Sequence, residues 1–238
     1  MRFALSGNQR IEATPGATGT CPGCRAEVLA RCGTKRIWHW AHKGRRHCDH
    51  WWENETEWHR DWKNQFPSDW QEVRARDETG EQHIADVKTP YGVVIEFQHS
   101  AIKPDEVAKR TNFYGQVIWI VDGNRRQTDR TQYERMLSEN RPQRFPSVEG
   151  VSVDYVDIYT VDHNETRLLK EWGSLCRIVG FDFGGENLCL LTSVQGMRRY
   201  LFDLPKADFA KLITEGKPLP VVQFRKPAQR GFRRLRSY

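Results

Sequence analysis

The chain has 238 residues, 38% hydrophobic and 29% charged, enough apolar content to bury a sizeable core in one medium domain with appendages or in two small ones. No run approaches the roughly 20 apolar residues of a membrane span, and the opening MRFALSGN lacks a long apolar stretch, so a soluble cytoplasmic protein with no membrane partner is expected. Lys and Arg outnumber Asp and Glu by 37 to 31, a mild excess that leans toward a polyanionic partner.

Residues 1–50 carry the first constellation, CPGCRAEVLARCGTKRIWHWAHKGRRHC at 21–48. Cys21 and Cys24 form a C-x2-C knuckle whose two thiolates can converge on one ion, and Cys48 with one histidine would close a tetrahedral zinc site. His42 is preferred over His39 for the fourth ligand, with His47 and His50 as spares. The segment has too few aliphatic residues to fold alone, so a structural metal explains it better than a free cysteine pair. Cys32, Cys176 and Cys189 have no metal-like neighbours and read as fillers of small buried sites.

The pattern WWENETEWHRDWKNQF predicts a helix over 52–66 with Trp51, Trp58, Trp62 and Phe66 in one apolar stripe. Glu55 and His59 fall inside that stripe, so both point inward and need polar partners or a metal; Lys63 flanks it. Strands are predicted near 70–76, at 82–88 and at 92–98, followed by a helix over 103–115 and a buried strand, VIWIVD, at 117–122. Alternation puts Asp86 and Lys88 on one face of their strand. Glu96 and Gln98 share a face of the next strand, opposite to Ile95 and Phe97. If the turn pairs those faces, Asp86 and Glu96 meet, and two carboxylates brought together suit Mg²⁺ or Mn²⁺. Residues 122–147 read as a polar, Arg-rich helix within connecting segments. Beyond 150 the chain reads mostly as short strands, and the tail FRKPAQRGFRRLRSY carries six basic residues and no acidic ones, which suits an arm on a phosphate backbone with Phe232 and Tyr238 stacking on bases.

The order helix, three strands, helix, strand, with Asp on the second strand and Glu-x-Gln on the third, resembles the αβββαβ core of the restriction-endonuclease-like PD-(D/E)xK superfamily. The train CPGC, HWAH, ETEWHRDWK, IADV, IEFQHS, RTNFY and VIWIV is more specific and resembles the CoiA-like competence protein family over about residues 18–123. That resemblance implies an α/β protein with a Cys/His zinc-binding segment (1–50) and a nuclease-like core (51–145); it does not reach the carboxy-terminal region (146–238), which reads as β-rich from its own strand patterns. It implies a metal-dependent DNA nuclease acting in DNA processing, recombination or defence, with DNA and recombination proteins as partners. The alternative is a non-cleaving DNA-binding accessory module whose nuclease core is vestigial. Carried onto this chain, Asp86 and Glu96 would be the primary Mg²⁺ or Mn²⁺ ligands and Glu55 a further carboxylate. His59 and Lys63 match the family's helix, and Arg110 and Tyr114 would lie near the phosphate. Gln98 stands where the superfamily has lysine and cannot supply positive charge, so that charge is expected from Lys88 or Lys63.

Overall fold

The computed structural model describes residues 1–44, 48–51, 53–147, 149–161, 166–173, 176–193 and 199–220. The basic tail, with Phe232 and Tyr238, lies outside the described residues, as does His47.

The amino-terminal segment forms a small antiparallel sheet of β1 (Phe3–Ser6), β2 (Gln9–Glu12), β3 (Thr18–Thr20), β4 (Glu27–Arg31) and β5 (His39–His42), in the order β2-β1-β3-β4-β5. Its core is slight. Met1, Ala4, Ala13, Cys21, Val28 and Trp40 are buried together, and Trp40 is the one large ring among them. Cys32, expected in a buried site, is only half-buried, because it sits just past the end of β4.

Next come α1 (Glu57–Lys63), β6 (Gln71–Arg76), β7 (Gln82–Lys88), β8 (Val94–Gln98), α2 (Pro104–Tyr114) and β9 (Val117–Asp122), in the helix and strand order read from the sequence. They are followed by α3 (Gln127–Glu139), β10 (Gln143–Pro146), β11 (Tyr155–Val161), α4 (Arg167–Trp172), β12 (Ile178–Asp182), β13 (Asn187–Ser193), β14 (Arg199–Pro205) and α5 (Lys206–Thr214). The helices α4 and α5 were not anticipated from the sequence. Among the described residues one nine-stranded sheet runs β10-β11-β14-β13-β12-β9-β8-β7-β6, so the strands after residue 146 extend the sheet of the nuclease-like core. The expected boundary at 145 falls inside β10.

The neighbours β8, β9 and β12 are parallel and the other neighbours antiparallel. Parallel strands covered on both faces require an unbroken apolar run, and all six residues of VIWIVD are buried. On one face α1 and α5 supply Trp62, Phe209, Leu212 and Ile213; on the other α2, α3 and α4 supply Val107, Met136, Leu168, Leu169 and Trp172. No helix of the described residues is long and apolar enough to cross a membrane.

The first helix is shorter than its apolar stripe suggested. Thr56 sits in extended backbone and accepts the N–H of His59, while the His59 side chain reaches back to the Thr56 N–H, a capping box that starts the helix at Glu57. Trp51 and Glu55 therefore belong to the lead-in and not to the helix. Once started, α1 is held by its tryptophans: the indoles of Trp58 and Trp62 both donate to Asp182 Oδ2, at 3.0 and 2.9 Å, and tie the helix to β12. Pro104 opens α2, and Gly115 at φ 70° ends it.

Candidate functional site

The cysteine constellation assembles at one point. Sγ of Cys21, Cys24 and Cys48 and a ring nitrogen of His42 all lie within 4.8 Å of one another, an arrangement that could hold a metal ion such as zinc. Cys24 Sγ is 3.2 Å from His42 Nε2, and Cys21 Sγ is 3.7 Å from Cys48 Sγ. Three thiols this close are poorly served without a cation. Burial and the neighbouring Cys21 push the Cys48 thiol up to about 12, and burial raises Cys21 as well. Cys24 is shifted the other way, lowered despite burial by hydrogen bonds from the Ala26 backbone and the neighbouring thiols, and the three thiols together, at ligand distance, fit a soft divalent metal. Among the alternative histidines, His39 turns its Nδ1 to the Ile37 carbonyl at 2.8 Å, and His50 stands with Asp49 and His83 in a different group.

The knuckle is pressed against β7. A Cβ on Gly23 would lie 3.3 Å from both Cys21 Sγ and Cys48 Sγ and 3.4 Å from Ile84 Cδ1, so only glycine packs there without displacement. From Cys48 the chain passes directly to Asp49, whose carboxylate accepts the Ile84 N–H at 2.8 Å and stands 2.8 Å from His83 Nδ1. Trp51 stacks on His83.

Beyond that contact lies a cleft lined by Asp49, Trp51, Glu53, Glu55, His59, Lys63, Glu72, Ile84, Asp86, Glu96 and Arg110, among others. The β7–β8 ladder runs Lys88↔Val94 and Val87↔Ile95, a register whose next step opposes Asp86 to Glu96. There the side chains take over from the ladder. Asp86 N–H points to Glu96 Oε1 at 3.3 Å, and Phe97 N–H donates to Asp86 Oδ2 at 3.0 Å. Burial, reinforced by Asp86, pushes the Glu96 carboxyl up to about 8. Two carboxylates on opposed strand positions offer hard oxygen donors of the kind that Mg²⁺ or Mn²⁺ takes.

Two buried cations flank the pair. Lys63 Nζ lies 3.0 Å from Asp86 Oδ1 and 3.4 Å from both Glu55 Oε1 and Glu72 Oε1. Burial alone would lower the Lys63 ammonium; Asp86, Glu72 and Glu55 outweigh it and hold it above its ordinary value. Arg110 reaches Glu96 Oε2 at 3.5 Å, donates to the Trp51 carbonyl at 2.9 Å and pairs closely with Glu106.

Other expected residues divide. His59 is buried, with Nε2 3.0 Å from the Phe97 carbonyl and 3.7 Å from Glu53, so it fastens α1 to β8. Gln98 gives its amide N–H groups to Glu53 at 3.1 Å and to the Ser100 carbonyl at 3.2 Å. Tyr114 lies in the aromatic group around Trp51 and is not among the residues lining the cleft. Lys88 shares the parity of Asp86 but lies outside the cleft, whereas Lys63 is inside it.

Sequence reading missed Glu53, Asp49 and Glu72. Glu72 is the most telling: it holds φ 49° on β6, a left-handed conformation rare for a side-chain-bearing residue. Its carboxylate accepts the backbone N–H groups of Arg2 at 2.7 Å and Phe3 at 3.1 Å while facing Lys63, joining the small sheet to the cleft. In sequence it is one acid in the alternating strand QEVRAR, with nothing to separate it from a solvated position.

Residues 8–50 match the family model described as Competence protein CoiA, N-terminal domain, and residues 82–164 match Competence protein CoiA, nuclease-like domain. No curated protein and no solved structure matches the chain. The first stretch holds the cysteine cluster, the second holds Asp86, Glu96 and Arg110, and together they take in just over half of the chain, which belongs to the CoiA-like competence protein family.

Proposed function

We propose that the cleft is the active site of a Mg²⁺- or Mn²⁺-dependent DNA nuclease with a PD-(D/E)xK-type core, and that the cysteine cluster holds a structural zinc. The carrying observation is the Asp86–Glu96 pair on adjacent strands, Glu96 buried and Asp86 half-buried, with the Lys63 ammonium 3.0 Å from Asp86. Asp86 and Glu96 would hold the ion, which when bound would supply Lewis-acid polarisation of a phosphate and activation of a water. Hydrolysis adds water across one P–O bond and leaves a hydroxyl and a phosphate monoester.

The chain's own groups have separate tasks. Lys63, borne on α1, takes the place of the strand lysine that Gln98 replaces: it orients Asp86 and supplies fixed positive charge beside the reacting phosphate. Glu55 and Glu72 hold that ammonium in place. Arg110 steadies Glu96 and presents a second cation to the phosphate. Gln98, its amide committed to Glu53 and Ser100, acts by positioning, and His59 locks α1 onto β8. The setting is the reducing cytoplasm, with recombination proteins as partners in DNA processing.

The second reading, a DNA-binding accessory module without cleavage, is favoured by one observation: Gln98 leaves the strand itself without a cation. Incubating the protein with linear, circular and single-stranded DNA in Mg²⁺, Mn²⁺ or EDTA separates the two. Metal-dependent cleavage that vanishes in Asp86→Ala and Glu96→Ala supports the nuclease; binding without cleavage under every condition supports the accessory module.

A further inference from the structure

A second cleft of about 550 Å³ opens beside the first and shares Met1 and Glu55 with it. Its volume is in the range of ligand sites, about 300–1,000 Å³. One wall is the β4–β5 loop, with Thr34, Lys35, Arg36, Ile37 and Trp38, and the start of β5 at His39; the other is the lead-in to α1, with Asn54 and Thr56, and its first residue Glu57.

The loop wall has three properties that its fold does not require. From Val28 to Cys48 the chain has six Lys or Arg residues and no Asp or Glu. Arg31, Lys35 and Arg36 are exposed and form no ion pair with a described residue. Trp38 is 46% exposed, in a sheet whose scarce apolar mass would favour burying it, as Trp40 two residues later is buried. The loop is also anchored: Arg60 Nη2 donates to the Trp38 carbonyl at 2.9 Å and to Glu55 Oε2 at 2.8 Å, so its base is tied to the helix that carries Lys63.

We propose that the loop Cys32–Trp38 is a clamp for single-stranded DNA, which feeds a strand along the second cleft toward Asp86 and Glu96; the substrate class rests on the nuclease reading above. Lys35 and Arg36 pair with backbone phosphates, and the Trp38 ring stacks on one base. Stacking on an exposed ring selects an unpaired base, because a base inside a duplex has both faces covered. Acidic groups face the strand only from the opposite wall, where Glu55 is already neutralised by Arg60 and Lys63 and where Glu57 stands exposed.

The test is fluorescence anisotropy of the full-length protein with a labelled single-stranded oligodeoxynucleotide, the same sequence as a duplex and its RNA counterpart, in EDTA-free buffer without Mg²⁺ so that no cleavage intervenes. Trp38→Ala weakens single-strand binding about 5- to 150-fold and leaves duplex binding unchanged, and Trp38→Phe recovers part of the loss. Replacing both Lys35 and Arg36 by Ala lowers the salt-dependence slope by about 1.4, two phosphate contacts at roughly 0.7 each. Unaltered single-strand affinity in both variants overturns the clamp, as does an equal loss for duplex; tighter binding of RNA than of DNA overturns the choice of DNA. The nuclease reading fails separately. Loop-dependent binding with no cleavage in Mg²⁺ removes the hydrolysis and keeps the clamp, whereas metal-dependent cleavage with loop-independent binding removes the clamp alone.

Discussion

The cysteine cluster and the carboxylate cleft are both gatherings of groups that repel when ionised, and they solve that problem differently. The cluster has four donors from one 28-residue stretch, an arrangement that could hold a metal ion such as zinc. The cleft draws its acids from the lead-in to α1 and from β6, β7 and β8, and it brings its own cations, Lys63 and Arg110. Donors gathered from one short stretch are suited to a staple, since a bound metal would tie that stretch together. A cleft whose acids are partly balanced by its own Lys63 and Arg110 is held in place by side chains from several elements. The two are joined where the knuckle at Gly23 touches Ile84 and where Cys48 is followed by Asp49, so the staple also props the strand that carries Asp86.

The largest effect expected is on the staple. Cys21→Ser with Cys48→Ser removes two of four ligands, and structural zinc contributes on the order of 10 kcal/mol in small zinc modules. Hydrogen exchange should then show lost protection across β1–β5 and, through Asp49, at the Ile84 amide, while β9 and β12 stay protected. Protection at Ile84 that survives zinc loss would separate the two regions.

Lys63→Ala comes next. It leaves the buried carboxylates of Glu55 and Glu72 and the half-buried one of Asp86 around an empty centre, which costs about 3–5 kcal/mol by the usual penalty for breaking a buried ion pair. Chemical denaturation measures that loss, and cleavage falls by at least about 100-fold, the scale for losing one fixed charge stabiliser. Lys63→Arg should recover stability more than activity, since its planar fork cannot face three carboxylates as an ammonium does.

The pH dependence of the magnesium-free protein is a smaller effect. Glu96 is pushed up to about 8 by burial and by Asp86, from an ordinary 4.5. Its folded value lies above its unfolded one, so the stabilisation from holding that proton is complete below pH 4.5 and disappears as pH rises through about 8. Urea midpoints should therefore decline between these values in the wild type and decline less in Glu96→Gln. Added Mg²⁺ should flatten the wild-type curve by displacing the proton. The smallest effect belongs to Lys88→Ala, which lies outside the cleft and should change stability by less than about 0.5 kcal/mol and cleavage hardly at all.

Local chemistry made much of this molecule readable. The spacing of Cys21, Cys24, His42 and Cys48 lies within one short stretch, so a sequence window holds the whole cluster. The strands Gln82–Lys88 and Val117–Asp122 have the bounds their patterns predict, because period-two alternation and an unbroken apolar run are each properties of a single strand. The capping box at Thr56 overrode the longer apolar stripe of α1, a signal that was present in the sequence but weaker than the tryptophan spacing.

The sequence by itself thus determined the order of the elements from α1 to β9, the thiol cluster and the pairing of Asp86 with Glu96. Tertiary structure alone decided that Lys63 and not Lys88 stands beside Asp86, that Glu72 and Glu53 complete the ring around them, and that the strands after residue 146 join the same sheet. The reason is range: periodicity reports which face a residue takes on its own element, while an ion pair is set by how separate elements cross and register, which no single window contains.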